Sequence, residues 1–111
     1  MLDSLDAVTA APKHHRVMLE NDRVRVLETI IRPGEQTAVH EHIWPASLYF
    51  LSWSEFERFD ADGTLIFRSE DFDFERLPGR GTTWWSDPLP PHSFRNVGIE
   101  DFHVITTELK S

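Results

Sequence analysis

Arg32-Pro33-Gly34-Glu35-Gln36-Thr37-Ala38-Val39-His40-Glu41-His42 is the stretch on which the reading of this chain turns. Pro33-Gly34 signals a turn, since proline presets φ and glycine accepts the positive φ that a tight turn needs. The residues after it are extended in character and end in a pair of histidines separated by one residue. Side chains alternate between the faces of a strand, so His40 and His42 share one face while Glu41 points to the opposite, solvated side. Both imidazoles could then hold one ion. A third histidine, His92, arrives in Pro91-His92-Ser93-Phe94-Arg95-Asn96, and from a neighbouring strand it completes a facial array. Asn96 lies four residues beyond His92 and shares its face on a regular strand.

Outward from this stretch the chain reads as β structure. Val17-Met18-Leu19 is a short apolar run before an Asn21-Asp22 turn, and residues 24–32 mix β-branched and polar side chains up to Pro33. Residues 47–53 are dense in Leu, Tyr, Phe and Trp. Residues 56–59 and 64–68 flank Asp60-Ala61-Asp62-Gly63, a hairpin loop. Phe72 and Phe74 alternate with Asp71, Asp73 and Glu75 as a half-buried strand. Residues 82–85 are short and β-prone, residues 88–91 break structure with prolines, and residues 93–97 and 102–109 read as the last strands. About nine or ten short strands separated by turns are the signature of an all-β sandwich or barrel. Before them, Asp3 or Ser4 caps a short helical turn that Pro12 stops. Residues 1–15 are therefore expected to form an irregular or helical arm and residues 16–111 the barrel.

At 111 residues the chain makes one domain with one core. Nineteen acidic residues against 11 basic ones give a net charge of −8. That balance argues against a nucleic-acid partner, whose phosphates are neutralised by Lys and Arg. The absence of cysteine removes disulfides, thiolate nucleophiles and Cys-bound metals, and a cytoplasmic location is the default expectation. No signal peptide is apparent, and no apolar run reaches the ~20 residues of a membrane helix.

Gly34, His40 and His42 stand at the spacing of the first motif of the cupin superfamily, and Gly81, His92 and Asn96 at that of the second. Tyr49-Phe50-Leu51 is similar to the apolar strand that follows the first motif. The chain thus resembles a small single-domain cupin over residues 24–109, and the resemblance implies a jelly-roll β-barrel. Departures fall at informative places. Where the family carries its glutamate ligand this chain has Ala46, or Ser47 on the longer spacing. Trp53 or Ser54 replaces the closing glycine, Asp87 the proline of the second motif, and Leu89 its inner glycine.

A site of three histidines, His40, His42 and His92, still leaves open positions for water or substrate. Imidazole suits several divalent transition metals, so iron, zinc, manganese and nickel all remain candidates. Some cupins resembling this pattern use three histidines for non-haem iron oxygen chemistry. Neutral imidazoles leave the ion's charge uncancelled, which favours a small anionic metabolite. The resemblance implies a small-molecule-binding cupin and, if it is an enzyme, a metal-dependent oxygenase, isomerase or hydrolase. Two alternatives stand beside it. One is a metal-free cupin with a barrel histidine as general base, His40 or His92, paired with Asp87. The other is a non-catalytic ligand-binding or sensing barrel.

Among the remaining histidines, adjacent His14 and His15 read as surface residues. His103, sharing a face with Ile105, Thr107 and Leu109, is the spare one that could enter the barrel. Phe50, Trp84, Phe94 and Asn96 are the expected pocket lining. Trp44, Trp53, Trp84 and Trp85 exceed what a small barrel needs, and adjacent Trp84 and Trp85 must face opposite ways. An outward one would bury against a second copy, so the expected partners are a small-molecule ligand and a homodimer mate, with no nucleic acid and no membrane.

Overall fold

The computed structural model describes residues 4–72 and 79–110. Asp6 opens the helical turn α1 (Ala7–Ala10), its carboxylate accepting from the Val8 amide at 3.2 Å. Asp6 thus takes the capping role expected of Asp3 or Ser4, because Arg25 grips its carboxylate from behind. Nine strands follow among the described residues: β1 (His15–Glu20), β2 (Val24–Ile31), β3 (His40–His42), β4 (Ala46–Ser52), β5 (Phe56–Asp60), β6 (Leu65–Arg68), β7 (Thr83–Ser86), β8 (Leu89–Asn96) and β9 (Phe102–Leu109). They form two antiparallel sheets, ordered β1-β2-β9-β4-β7 and β3-β8-β5-β6. This is the all-β jelly-roll architecture that the alternation and turn spacing predict.

Two segments depart from the expectation. The alternation of residues 71–75 begins in a 3₁₀ turn (Ser69–Asp71) with Phe72 exposed, and residues 73–75, Phe74 included, lie outside the described residues. The prolines near residue 90 do not break the chain, because β8 starts at Leu89 and runs through Pro90 and Pro91. Leu89 opposes His42 and His92 opposes His40, so three steps along β8 match two along β3. This bulge accommodates the prolines, since the extra residue needs no ladder N–H.

Strand alternation sorts the interior by chemistry. Arg25, Leu27, Thr29 and Ile31 of β2 point inward, as do Phe102, Val104, Thr106 and Glu108 of β9. Their antiparallel register sets Ile31 against Phe102 and Arg25 against Glu108. One end of the barrel is therefore apolar, where Ile31, Phe50, Phe56, Phe94, Phe102 and Val104 form the buried core. Phe56 and Phe94 stack there with ring centroids 4.4 Å apart.

The opposite end holds buried charge. Arg25 Nε donates to Glu108 Oε1 at 2.6 Å, and its Nη1 and Nη2 donate to Asp6 at 2.9 and 2.7 Å. All three side chains are almost fully buried. The triad fastens the arm to β2 and β9, and a parallel bridge between Asp6 and Glu41 fastens it to β3. Removing one partner of such a cluster leaves uncompensated charge in a low dielectric. Arg25→Met should therefore lower the unfolding free energy by roughly 3–5 kcal/mol. Lys110→Ala, which breaks a more exposed pair with Glu20, should lower it by less than about 1 kcal/mol. Urea unfolding of both variants checks the contrast; similar losses would mean that the triad is not what holds the arm.

Candidate functional site

Gly34, at φ 84°, turns the chain between β2 and β3, and its amide donates to Asn96 O at 2.9 Å. That turn brings β3 alongside β8. His40 and His92 become a direct cross-strand pair with ring centroids 4.5 Å apart. His42, one residue beyond Glu41, has its ring 5.1 Å from His40 and 5.8 Å from His92. The rings of all three sequence-predicted histidines are therefore neighbours, although His92 is not among the histidines whose donor nitrogens converge within 4.8 Å.

A fourth imidazole joins them. His15, the first residue of β1, has its ring 4.6 Å from His40 and 5.7 Å from His42. One nitrogen of each of His15, His40 and His42 lies within 4.8 Å of the others. The surface position expected for His14 and His15 is thus corrected, since both are buried, at 6% and 5% exposure. His15 opposes inward-facing Thr29 across the β1–β2 ladder, which turns its ring into the barrel. His14 packs with its Nε2 3.4 Å from Glu35 Oε1. Pairing with a distant strand decides both positions, and adjacent histidines near a chain start carry no local sign of it.

Every ring of the cluster is held from behind. His15 Nδ1 lies 3.0 Å from Ala11 O, His40 Nδ1 2.7 Å from Ala38 O, and His92 Nδ1 2.8 Å from Pro90 O. A carbonyl oxygen only accepts, so these partners assign the proton to Nδ1 and leave Nε2 as a lone pair. His42 Nδ1 faces Glu108 Oε2 at 3.4 Å, a longer contact of the same sense. Burial lowers the pKa of His40 to about 4 and of His92 to about 3, and pushes His15 well below the usual imidazole value. Neutral rings with an anchored Nδ1 and a free Nε2 are the form in which histidine binds a metal.

The histidines line a cavity of about 390 Å³, together with Phe50, Trp84 and Phe94 from the expected set. That volume lies at the small end of ligand pockets. Asn96, also expected there, does not line it. It is fully buried elsewhere, its Nδ2 donating to Ile31 O and Glu100 O and its Oδ1 accepting from Ser54 and Gly98. Four bonds commit the whole amide to closing the β8–β9 turn.

Ala46 lines the cavity, and its direct neighbour across the β4–β9 ladder is Glu108. The carboxylate missing from Ala46 thus reappears one strand over, behind His42 instead of beside it. The expected pair of Asp87 with His92 is not made: Asp87 accepts from Trp85 Nε1 at 3.1 Å, while His92 Nδ1 faces Pro90 O. His103 does not enter the barrel either. Phe102, Val104, Thr106 and Glu108 take the inward row of β9, leaving His103 outside, 2.8 Å from Glu28. Trp84 packs against Phe50 inside, and its neighbour Trp85 is exposed.

Neither a protein-family model nor a curated protein sequence matches the chain. Its fold does match solved structures. A cupin-domain protein from Bordetella pertussis Tohama I superposes with a TM-score of 0.67 at 21% identity, over 87% of this chain and 92% of that one. A conserved protein with a double-stranded β-helix domain from Klebsiella pneumoniae gives 0.57 at 21% identity, over 86% and 74% of the chains. The polyketide cyclase RemF from Streptomyces resistomycificus gives 0.53 at 19% identity, over 86% of this chain and 63% of its own greater length. Among the described residues no helix is long and apolar enough to cross a membrane. With its two facing antiparallel sheets and these structural neighbours, the chain is a small protein of the cupin fold.

Proposed function

We propose that this protein binds a small molecule in the histidine-lined cavity, over a divalent metal held by His15, His40, His42 and His92. One observation carries the reading: each of these rings has its Nδ1 occupied by a backbone carbonyl or a carboxylate, so each presents Nε2. An ordinary core histidine satisfies both nitrogens, whereas a set anchored on one nitrogen each is arranged for a shared guest. The donor set fits iron, zinc or nickel better than manganese, because it offers imidazole and no ligating carboxylate. Such an ion, when bound, supplies Lewis acidity or, as iron, oxygen chemistry. The chain's own residues do the rest. Carbonyls 11, 38 and 90 fix the orientations of three rings, and Glu108 fixes that of His42. Phe50, Trp84 and Phe94 exclude water from the ligand's apolar side. RemF supports small-molecule chemistry on this barrel by analogy of fold.

A second reading is favoured by the His42–Glu108 contact. In a metal-free protein, His42 Nε2 would take a proton from the ligand and Glu108, itself held by Arg25, would stabilise the imidazolium. This pair replaces the Asp87–His92 dyad as the candidate.

Untagged protein purified without added metal should carry about one transition-metal ion per chain by elemental analysis. His40→Ala and His15→Ala should each weaken metal binding at least ~tenfold, measured by competition with a chelator. Retention of full affinity in His15→Ala would remove the fourth ligand, and substoichiometric metal in the parent protein would favour the general-base reading.

Metal-free protein should also lose stability in mild acid. His40 and His92 are neutral in the folded state down to about pH 4 and 3, whereas an unfolded histidine protonates near 6.5. Between those values the unfolded chain binds more protons, so stability falls as pH falls. The slope approaches about 1.4 kcal/mol per pH unit for each such group. Urea midpoints should be flat above pH 7 and decline from pH 6.5 to 5, with a shallower decline in His92→Asn. A flat profile throughout would mean that the rings are not held neutral.

A further inference from the structure

Arg58 lines the same cavity, from β5. It opposes Phe94 across the β5–β8 ladder, which places it on the inward face between Phe56 and Asp60. Its guanidinium lies over the rings of Phe56 and Phe67, 5.7 and 5.4 Å from their centroids. Its Nε is buried and bonded to nothing. Among the described residues no carboxylate pairs with it: Asp60 caps its own hairpin loop, Glu57 pairs with Arg68, and Asp87 binds Trp85. Burial lowers its pKa, consistent with a cation lacking a protein partner. By contrast, Arg25 on the inward row of β2 is neutralised by two carboxylates. A half-buried guanidinium with a buried, unsatisfied Nε is costly, and a ligand anion would satisfy it.

We propose that Arg58 is the anchor for a carboxylate on the cavity's ligand. The proposal rests on the reading of this cavity as a ligand site and deepens it by naming the ligand class. Arg58 is the one Lys or Arg in the described lining, and Asp87, the one carboxylate there, accepts from Trp85 Nε1, so a single negative charge on the ligand is what the guanidinium matches. The fork of a guanidinium pairs two N–H groups with the two oxygens of a carboxylate. A phosphate dianion would call for further cations or a cluster of amides. The apolar part of the lining, which includes Ile31, Leu48, Phe50, Trp84, Leu89 and Phe102, suits an aromatic or branched apolar body. The histidines alone suggest an anion only through an ion's charge; Arg58 supplies an attraction that needs no ion.

Benzoate, neutral benzamide and phenyl phosphate are the probes, titrated by calorimetry and indole fluorescence into metal-free and zinc-loaded protein. Metal-free wild type should bind benzoate at least ~tenfold more tightly than benzamide. R58Q should lose roughly tenfold to a hundredfold of the benzoate affinity and leave benzamide unchanged. R58K, which keeps the charge without the fork, should fall between. Equal binding of benzoate and benzamide by wild type, or of benzoate by wild type and R58Q, overturns the proposal. Tighter binding of phenyl phosphate than benzoate overturns the carboxylate assignment. Should R58Q fail to fold, R58K and the wild-type probe series still decide. The metal-free arm reads Arg58 alone, so failure of zinc to bind would overturn the metal centre and leave this result standing.

Discussion

The buried triad of Asp6, Arg25 and Glu108 is the constraint on which the rest of the structure depends. Two carboxylates and one guanidinium out of water carry a large desolvation cost, which only close, complete pairing offsets. Completing it demands three things at once. The arm must fold back so that Asp6 reaches Arg25. β2 and β9 must pair in the register that sets Arg25 opposite Glu108. The end of the barrel must be closed, and Trp44 does this by covering the guanidinium at 5.1 Å. A one-residue slip of β2 against β9 would separate Arg25 from Glu108 and leave buried charge unpaired, so the triad disfavours such slipped pairings.

The same triad shapes the site. With the arm fastened, Ala11 O stands where it orients His15, and β1 begins with that ring inside the barrel. Glu108 gives one oxygen to Arg25 and turns the other toward His42. Its negative charge therefore sits behind an imidazole, where it strengthens a donor, instead of among the donors, where it would cancel the charge of a guest ion. With Ala46 in the cavity wall and Glu108 behind His42, the cavity keeps a carboxylate near its histidines without placing one among them. The cavity combines neutral donors at its histidine wall, one unpaired guanidinium on β5 and apolar surface between them.

Much of this was legible in the chain itself. The composition of residues 24–32 and 102–109 marks them as strands, and the Pro33-Gly34 turn followed by His40 and His42 places two imidazoles on one face through strand period alone. The motif spacing adds His92. Each of these signals is local, or joins two short segments by a fixed count of residues. The failures share a different cause. His15 turns inward because it opposes Thr29, Glu108 matters because it neighbours Ala46, and Arg58 finds no carboxylate partner among the described residues, where it opposes Phe67 and Phe94. Pro90 and Pro91 are tolerated because a bulge opposite β3 absorbs them.

The sequence by itself therefore determined the fold class and the placing of His40, His42 and His92 at one candidate site, since period and turn chemistry act over neighbouring residues. Only the tertiary structure decided the fourth histidine, the carboxylate behind His42, the release of Asn96 from the pocket and the lone guanidinium within it. The physical reason is that partners of buried polar groups are set by register between strands distant in the chain. A one-residue slip of that register would send each of these side chains to the other face.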